Sequence, residues 1–195
     1  DTEILVAEGL KELHDGMRVL DMCTGSGCIL LSLLHYSNDC EGLGVDLSAE
    51  ALEVAGRNVL KVLTPEKAEH AHFLQSDLFE KVEGKFEIIV SNPPYIASAE
   101  VEKLMPEVRD HEPRMALDGT EDGLYFYRRI IEEAGKHLVS SGMLFFEIGY
   151  DQGQAVSELM RTEGYCDVQV VQDYAGLDRV VFGTYVTVQP APFAK

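Results

Sequence analysis

The residues Asn92, Pro93, Pro94 and Tyr95 have types and spacing that suit the binding of a planar amino group. They follow the apolar run Phe86–Val90, which predicts a buried strand, and open α/β sheets bind ligands at the carboxyl ends of such strands. Proline fixes φ at about −65° and holds the residue before it extended, so Asn92 and Pro93 are both extended. The Asn92 side-chain oxygen and the Pro93 carbonyl then point together beside the Tyr95 ring. We interpret this as an –NH2 pocket; the alternative is a proline-rich loop in which Tyr95 packs as ordinary core.

A glycine-rich turn, Asp21–Gly27, closes an earlier predicted strand and is followed by the apolar helix Cys28–Tyr36. The order of strand, glycine turn and helix is typical of nucleotide-type sites. The glycines let the backbone approach a ligand closely, and Asp21 can accept hydrogen bonds from an amine or from loop amides. A dinucleotide fingerprint needs glycine or alanine where Leu30 stands, so the pattern disfavours NAD.

Two further acids follow predicted strands. Asp46 lies 21 residues after Gly25, where a carboxylate binds both hydroxyls of a ribose. The alternative for Asp46 is a capping or turn residue next to Ser48. Asp77 and Leu78 can receive the edge and face of an adenine, although that signal is weak by itself.

Strands and helices alternate along the chain, which predicts an α/β fold with a mainly parallel sheet covered on both faces. The last two strands are joined by a short link and predict an antiparallel pair. The polar region 96–122 is longer than connections in compact domains usually are, and we interpret it as a flap on the substrate side. The predicted strands are Met17–Met22, Gly42–Asp46, Ala71–Gln75, Phe86–Val90, Met143–Ile148, Asp167–Val171 and Val180–Val188; the predicted helices are Cys28–Tyr36, Ala49–Val62, Leu124–Leu138 and Gln152–Arg161, with Thr2–Val6 inside a further helix.

Composition indicates one domain and disfavours nucleic acid as a partner. The chain has 195 residues, of which 46% are hydrophobic, and a formal net charge of −18 from 34 acidic and 16 basic residues. Such a surface repels a polyanion, whereas nucleic-acid binders usually carry a basic patch. The alternative is that the acidity serves solubility alone.

Neither a membrane span nor a metal site is expected. The sequence lacks an apolar run long enough to cross a bilayer, so we expect a soluble intracellular protein. The four cysteines lack paired C-x-x-C spacing and predict reduced, mostly buried thiols. His70 and His72 have no further ligand spaced to complete a metal site.

With Asp21–Gly27, Asp46, Asp77 and Asn92–Tyr95 in this order, the chain resembles class I S-adenosylmethionine-dependent methyltransferases. More narrowly, it resembles the protein-glutamine methyltransferases that modify the Gly-Gly-Gln loop of peptide-chain release factors. The similarity covers nearly the whole chain. Further segments that carry it are Ile96, Glu112-Pro113, Ala116–Gly119, Asp122–Leu124, Glu147–Gly149, Gln152 and Ala175–Val180.

This resemblance implies a Rossmann-like fold, with a seven-stranded sheet that ends in an antiparallel strand pair. It implies S-adenosyl-L-methionine as cofactor, S-adenosyl-L-homocysteine as product, and a release factor as the protein substrate of a cytoplasmic monomer. It also assigns residues: Asn92, Pro93 and Tyr95 to catalysis; Asn92, Pro93, Pro94 and Tyr95 to the substrate glutamine; and Asp21, Cys23, Thr24, Gly25, Ser26, Gly27, Asp46, Leu47, Asp77, Leu78 and Asn92 to the cofactor.

Residues 1–195 are expected to form the catalytic domain alone. Asp1-Thr2-Glu3 resembles the segment with which that domain begins in the family, after a small helical domain that helps to grip the release factor. Two positions depart from the family pattern. Cys23 occupies a loop position often held by glycine, and Thr120 stands where a second glycine commonly follows Gly119.

Two other functions remain open at this point. Nucleic-acid methyltransferases that modify the exocyclic amine of adenine or guanine need the same –NH2 pocket, and the missing basic face is the feature that separates them. A non-catalytic binding module that keeps the fold is the second alternative, and intact Asn92 and Asp46 speak against it.

Overall fold

A computed structural model describes residues 2–105 and 113–186 of the chain. Within them the strands are β1 Arg18–Met22, β2 Glu41–Asp46, β3 Ala71–Gln75, β4 Phe86–Ser91, β5 Leu138–Glu147, β6 Tyr165–Gln172 and β7 Asp178–Tyr185. The helices are α1 Thr2–Glu12, α2 Cys28–Tyr36, α3 Ala49–Val62, α4 Pro65–Ala68, α5 Ser98–Val101, α6 Arg114–Leu117, α7 Tyr125–Ala134 and α8 Gly153–Thr162.

These strands form one seven-stranded sheet in the order β3-β2-β1-β4-β5-β7-β6. Neighbours from β3 to β5 pair in parallel, whereas β7 runs antiparallel to both β5 and β6. The predicted fold class is therefore confirmed, including the antiparallel pair at the end. The strand order reverses between β1 and β4, and in open α/β sheets ligands bind in the crevice at that reversal.

Two hydrophobic clusters cover the two faces of the sheet. One face packs against α1, α2 and α3 through residues such as Leu5, Leu30 and Val59. The other packs against α7 and α8 through residues such as Tyr127, Ile131 and Met160. Because both faces are covered, the inner strands are apolar along their length, as in β4, where only Glu87 is not fully buried.

The helices α2 and α3 have the predicted bounds because each begins at clear punctuation. Gly27 precedes α2 with φ 79°, and the Ser48 side chain accepts a hydrogen bond from the Ala51 amide at the start of α3. Both features stop a helix from extending backwards along the chain.

The prediction for Leu124–Leu138 and Met143–Ile148 was wrong at the junction of these elements. Helix α7 ends at Ala134 and β5 already begins at Leu138, which pairs with Phe86. Leu138 continues the helical spacing of apolar residues, but its burial comes from the sheet. A left-handed residue, Ser141 with φ 65°, and a register shift between Phe86 and Ile88 then allow β5 to continue to Glu147.

Three further predictions concern the 96–122 region, the last strand and the cysteines, and the structure agrees with them only in part. Within the described residues the 96–122 region contains α5 and α6, and its residues 106–112 lie outside the description. The predicted strand Val180–Val188 ends at Tyr185, and its residues 187 and 188 are likewise outside it. All four cysteines are free, but Cys28 and Cys166 are exposed, so the prediction of mostly buried thiols was wrong.

None of the helices in the described ranges is long and apolar enough to cross a membrane. Over the same ranges, histidines, cysteines and carboxylates do not come together in a group of three that can hold a metal ion.

Candidate functional site

A cavity of about 520 Å³ opens at the carboxyl ends of the parallel strands, beside the reversal between β1 and β4. Its size is that of pockets which enclose a small organic ligand. Three carboxylates, Asp46, Glu50 and Asp77, face it, and among the described residues no lysine or arginine lines it. The lining is otherwise mainly apolar. Such a cavity favours a ligand with positive charge and disfavours phosphates.

Asp46, at the end of β2, is held by the backbone on two sides. Its Oδ2 accepts the Gly25 amide at 2.8 Å and its Oδ1 accepts the Ser48 amide at 2.9 Å. These bonds fix the carboxylate against the glycine turn and leave its remaining lone pairs for a ligand in the cavity. The capping alternative from the sequence is thus part of the geometry, because Asp46 both supports the turn at Ser48 and lines the cavity.

The glycine turn after β1 adopts left-handed backbone at three positions. Cys23 has φ 62°, Gly25 has φ 55° and Gly27 has φ 79°. The first value is one that glycine adopts at a lower conformational cost than cysteine does. Cys23, Thr24, Gly25 and Ser26 line the cavity. Gly27 does not, and a Cβ on it would come within 3.2 Å of Ala55.

Asp21 lies beneath this turn and is not among the residues that line the cavity. It is fully buried, and its Oδ2 accepts the Thr24 hydroxyl at 2.6 Å and the Leu30 amide at 3.2 Å. Its Oδ1 has no hydrogen-bond partner within the described structure. Burial raises the pKa of Asp21 from 3.8 to about 7, against the lowering effect of these two donors. Asp21 therefore braces the turn from below.

Asp77 follows β3 and faces the cavity with Leu78 beside it. Arg129 of α7 binds the Asp77 Oδ1 at 2.9 Å, and the guanidinium of Arg129 lies 5.8 Å from the Tyr125 ring centre. Helix α7 thus reaches across to set the position of Asp77. Leu47, the neighbour of Asp46, also lines the cavity.

The four residues after β4 divide between the cavity and the core. Asn92 and Pro94 line the cavity, Pro93 is buried, and Tyr95 is half-buried. Burial raises the pKa of the Tyr95 hydroxyl, against a hydrogen bond from Arg179 that lowers it. Tyr95 therefore remains neutral at ordinary pH. Pro93 and Tyr95 are not among the lining residues of the cavity.

Distant segments clamp the chain at Tyr95. The Gln152 Nε2 donates to the Tyr95 carbonyl at 3.0 Å, while the Gln152 Oε1 accepts the Gly149 amide at 2.9 Å. A Cβ on Gly123 would overlap the Tyr95 carbonyl oxygen, and a Cβ on Gly119 would come within 2.8 Å of the Tyr95 Cα. Both glycines are thus needed for close approach of one backbone to another.

The described parts of the region 96–122 contact the same segment. Ile96 forms a parallel bridge with Asp118, and its amide donates to the Leu117 carbonyl at 3.0 Å. Thr120 has φ 72°, a backbone conformation that glycine adopts at a lower cost than threonine does. In this region Met115 and Ala116 join the lining of the cavity, and the flap interpretation stays a prediction.

Several cavity residues were not predicted from the sequence. Phe126 contributes from α7, and Val54 and Ala51 contribute from α3. In the sequence each of them has the spacing of an ordinary helical core residue. Only the packing of its helix brings it to the cavity. Ala116 carried a signal, because it lies in the segment Ala116–Gly119 that resembles the family, whereas Met115 did not.

Comparison with known proteins gives a consistent result. The sequence profile of the methyltransferase small domain family matches residues 2–108, more than half of the chain. A release factor glutamine methyltransferase of Agrobacterium fabrum is 43% identical over 187 residues, covering 93% of this chain and 64% of that protein. One of Clostridium acetobutylicum is 44% identical over 185 residues, with coverage of 93% and 64%. This chain therefore spans less than two thirds of the length of these relatives.

Solved structures agree with this. A release factor-specific protein-(glutamine-N5) methyltransferase of Alicyclobacillus acidocaldarius is 27% identical with a TM-score of 0.56, covering 95% of this chain and 92% of that one. A methyltransferase of Pyrococcus furiosus has a TM-score of 0.68 at 18% identity, covering 96% and 84% of the two chains. The second likeness concerns the fold alone.

Proposed function

Because the chain belongs to the methyltransferase small domain family, we propose that it methylates the side-chain nitrogen of a glutamine in a peptide-chain release factor. The proposed cofactor is S-adenosylmethionine and the proposed target is the Gly-Gly-Gln motif. The observation that carries the proposal is the position of Asn92, which follows β4 at the strand-order reversal and lines the cavity. The release-factor specificity named for relatives at 43% and 44% identity supports the choice of substrate.

The residues of the cavity fit the proposed cofactor. Asp46 offers carboxylate lone pairs suited to ribose hydroxyls, and Asp77 with Leu78 offers an acceptor and an apolar wall suited to adenine. Asp46 and Glu50 suit a positively charged ligand, whereas the charge of the third lining carboxylate, Asp77, is offset by Arg129. When bound, the cofactor supplies a methyl group on a positively charged sulfur.

The task of the protein is to prepare a poor nucleophile. The lone pair of an amide nitrogen is delocalised into its carbonyl. The Asn92 side-chain oxygen and the Pro93 carbonyl would each accept one hydrogen of the glutamine –NH2, which orients the nitrogen and returns electron density to it. The nitrogen held in this way would receive the methyl group, and the electron pair of the broken S–C bond would stay with the sulfur of the cofactor. The methylated nitrogen is strongly acidic and loses a proton to water.

This chemistry needs no dedicated base. Tyr95 cannot serve as one, because burial raises the pKa of its hydroxyl. We assign Tyr95 to packing against the plane of the glutamine amide. Catalysis then consists of positioning and electrostatics, and both depend on the clamp that Gln152 places on the Tyr95 carbonyl.

The proposal has one chemical rival, an amino-methyltransferase acting on nucleic acid. The pocket at Asn92 accepts any planar –NH2 group. The net charge of −18 opposes this function, because a polyanion would be repelled from the protein as a whole. We further propose that the protein acts in the cytoplasm during translation termination, as a monomer without direct contact with nucleic acid.

Incubation with isotope-labelled S-adenosylmethionine tests the proposal. Three acceptors are offered in parallel: a release factor, the same factor with its Gly-Gly-Gln glutamine replaced by alanine, and single-stranded DNA and RNA oligonucleotides. We expect label in the Gly-Gly-Gln peptide by mass spectrometry and none in the other acceptors. Label in an oligonucleotide, or in the alanine-substituted factor, would overturn the assignment.

A further inference from the structure

The side-chain amide of Asn92 can be used in two orientations. Its oxygen and its NH2 group have nearly the same size, so shape alone does not choose between them. Only the oxygen can accept a hydrogen from a substrate –NH2 group. A pocket of this kind therefore needs a neighbour that takes the Asn92 NH2 group and leaves the oxygen facing the cavity.

The sheet places Glu147 beside Asn92. Ser91 of β4 pairs in register with Phe146 of β5, so the next residues along the two strands, Asn92 and Glu147, are also neighbours. Side chains two residues apart project to the same face. Val90 and Phe145 both belong to the cluster under α1, α2 and α3, so Asn92 and Glu147 project to that face as well.

Helix α1 begins at this place. Thr2 is its first residue. Burial raises the pKa of the Glu147 carboxyl above its usual value, and the Thr2 side chain, the charge of Arg179 and the Asn92 side chain lower it in part. Glu147 is 4% exposed, its Oε2 has no hydrogen-bond partner in the described structure, and it is not among the lining residues of the cavity. Glu147 is thus a buried acid that has hydrogen-bond donors as neighbours and does not line the cavity.

The chemistry of these groups selects one orientation. An ionised carboxylate has no hydrogen to donate and can only accept. Burial disfavours the ionised form of Glu147, and the positive charge of Arg179 on the neighbouring strand β7 offsets part of that effect. When Asn92 meets this carboxylate it must offer its NH2 group, which leaves the Asn92 oxygen on the cavity side.

We propose that Glu147 is a positioning residue that receives the Asn92 NH2 group and thereby directs the Asn92 oxygen toward the substrate amide, with Thr2 as a second donor that steadies the carboxylate. This inference rests on the proposed methyl transfer to an –NH2 group. It gives a role to an acid that has no part in the chemistry itself. It also makes the start of α1 part of the support of the site.

The orientation can be measured without any methyl acceptor. In a 15N-labelled sample the Asn92 side-chain NH2 signals are identified by their loss in Asn92→Ala. We expect one of these protons to be shifted downfield in the unmodified protein, and this shift to diminish in Glu147→Gln and to vanish in Glu147→Leu. Glu87→Gln, which changes a β4 carboxylate bound to the Arg18 amide at 2.8 Å, is the matched control and leaves the signals in place. Identical Asn92 NH2 signals in the unmodified protein and in Glu147→Gln would overturn the proposal.

A double-mutant cycle of methyl transfer then measures the consequence. We expect Glu147→Gln to lower kcat by about 10–100-fold, the loss usual for groups that orient a directly contacting residue, with unchanged affinity for S-adenosylmethionine. In the Asn92→Ala background the same change should have little further effect, because Glu147 acts through Asn92. Equal losses in both backgrounds would show a general structural role and contradict the proposal. Failure of the unmodified protein to methylate a release factor would instead refute the proposed function, and the NMR result would still decide the orientation of Asn92.

Discussion

At the scale of single residues, the candidate site is built from acids with different surroundings. Asp46 is bound by backbone amides and faces the cavity, whereas Asp21 is fully buried beneath the same turn. Asp21 lies near the end of β1 and Asp46 is the last residue of β2, and both were assigned to the cofactor from the sequence. The structure separates them, since only Asp46 lines the cavity.

Replacement of Asp46 by alanine tests its contact with the cofactor. Asp46→Ala should weaken S-adenosylmethionine binding by about 1–3 kcal/mol, the cost of lost charge-assisted hydrogen bonds. Isothermal titration calorimetry measures the change. Glu53→Ala, an exposed acid on α3, serves as the control and should bind as the unmodified protein does. Unchanged affinity in Asp46→Ala would remove this residue from the site.

Because the pKa of Asp21 is raised, we expect the free energy of unfolding to depend on pH. Its pKa is raised from 3.8 to about 7 in the folded protein, so the folded state holds a proton that the unfolded state releases. The stabilisation is fully present below about pH 4 and is lost as the pH rises to about 7, by an amount on the order of 2–4 kcal/mol. Asp21→Asn keeps an acceptor for the Thr24 hydroxyl and does not ionise. The unmodified protein should therefore lose stability from pH 4 to pH 8 relative to Asp21→Asn, so the free energy of unfolding of Asp21→Asn minus that of the unmodified protein should increase over this range.

Urea unfolding at several pH values measures this difference, with the exposed Asp39→Asn as control. Parallel pH profiles for Asp21→Asn and the unmodified protein would contradict the assignment of a raised pKa.

At the scale of elements, the site depends on contacts between segments far apart in the chain. Gln152 at the start of α8 binds the Tyr95 carbonyl, and Gly119 and Gly123 allow the chain before α7 to pack on the same residue. Three of the segments that carry the family resemblance, at Gly119, Gly123 and Gln152, thus contact Tyr95. The spacing of these segments in the sequence does not predict that they contact one another.

Gly123→Ala tests the close approach. Gly123 has φ 72°, and a Cβ there would overlap the Tyr95 carbonyl oxygen, so we expect a loss of about 2–3 kcal/mol in the free energy of unfolding. Gly56→Ala on α3 is the matched control. Nothing lies within 4 Å of its added Cβ, and alanine should stabilise the helix by about 0.5–1 kcal/mol. Thermal unfolding of both variants checks the pair, and a Gly123→Ala protein as stable as the unmodified one would show that the packing is loose.

At the scale of the whole molecule, much of the architecture could be predicted because local signals agreed with the fold. The Ser48 cap and the glycine before α2 defined helices to the residue, and apolar runs located the parallel strands. The start of β5 could not be predicted, because Leu138 satisfies both a helix and a strand pattern. The neighbours Asn92 and Glu147 depend on the register of β4 with β5, which local sequence does not contain.

The candidate site was predictable to a similar extent. The sequence singled out the turn after β1 and three polar residues, Asp46, Asp77 and Asn92. The structure places all of them around one cavity except Asp21 and Gly27 of the turn, which do not line it. The parts of the cavity wall that come from α3 and α7 could not be predicted. In the sequence Val54 and Phe126 look like core residues, and only the packing of the two helices brings them to the cavity. Chemistry-bearing residues at strand ends follow a general rule of α/β sheets, whereas apolar walls follow from tertiary packing.

The central claim is that Asn92 holds the reacting amide, and one rate measurement tests it most directly. Methyl transfer to a Gly-Gly-Gln substrate is followed under saturating S-adenosylmethionine for the unmodified protein and for Asn92→Ala. We expect a fall of about 10²–10³-fold, the usual loss for one preorganised electrostatic contact, with cofactor binding largely intact. Transfer by Asn92→Ala at the unmodified rate would contradict it.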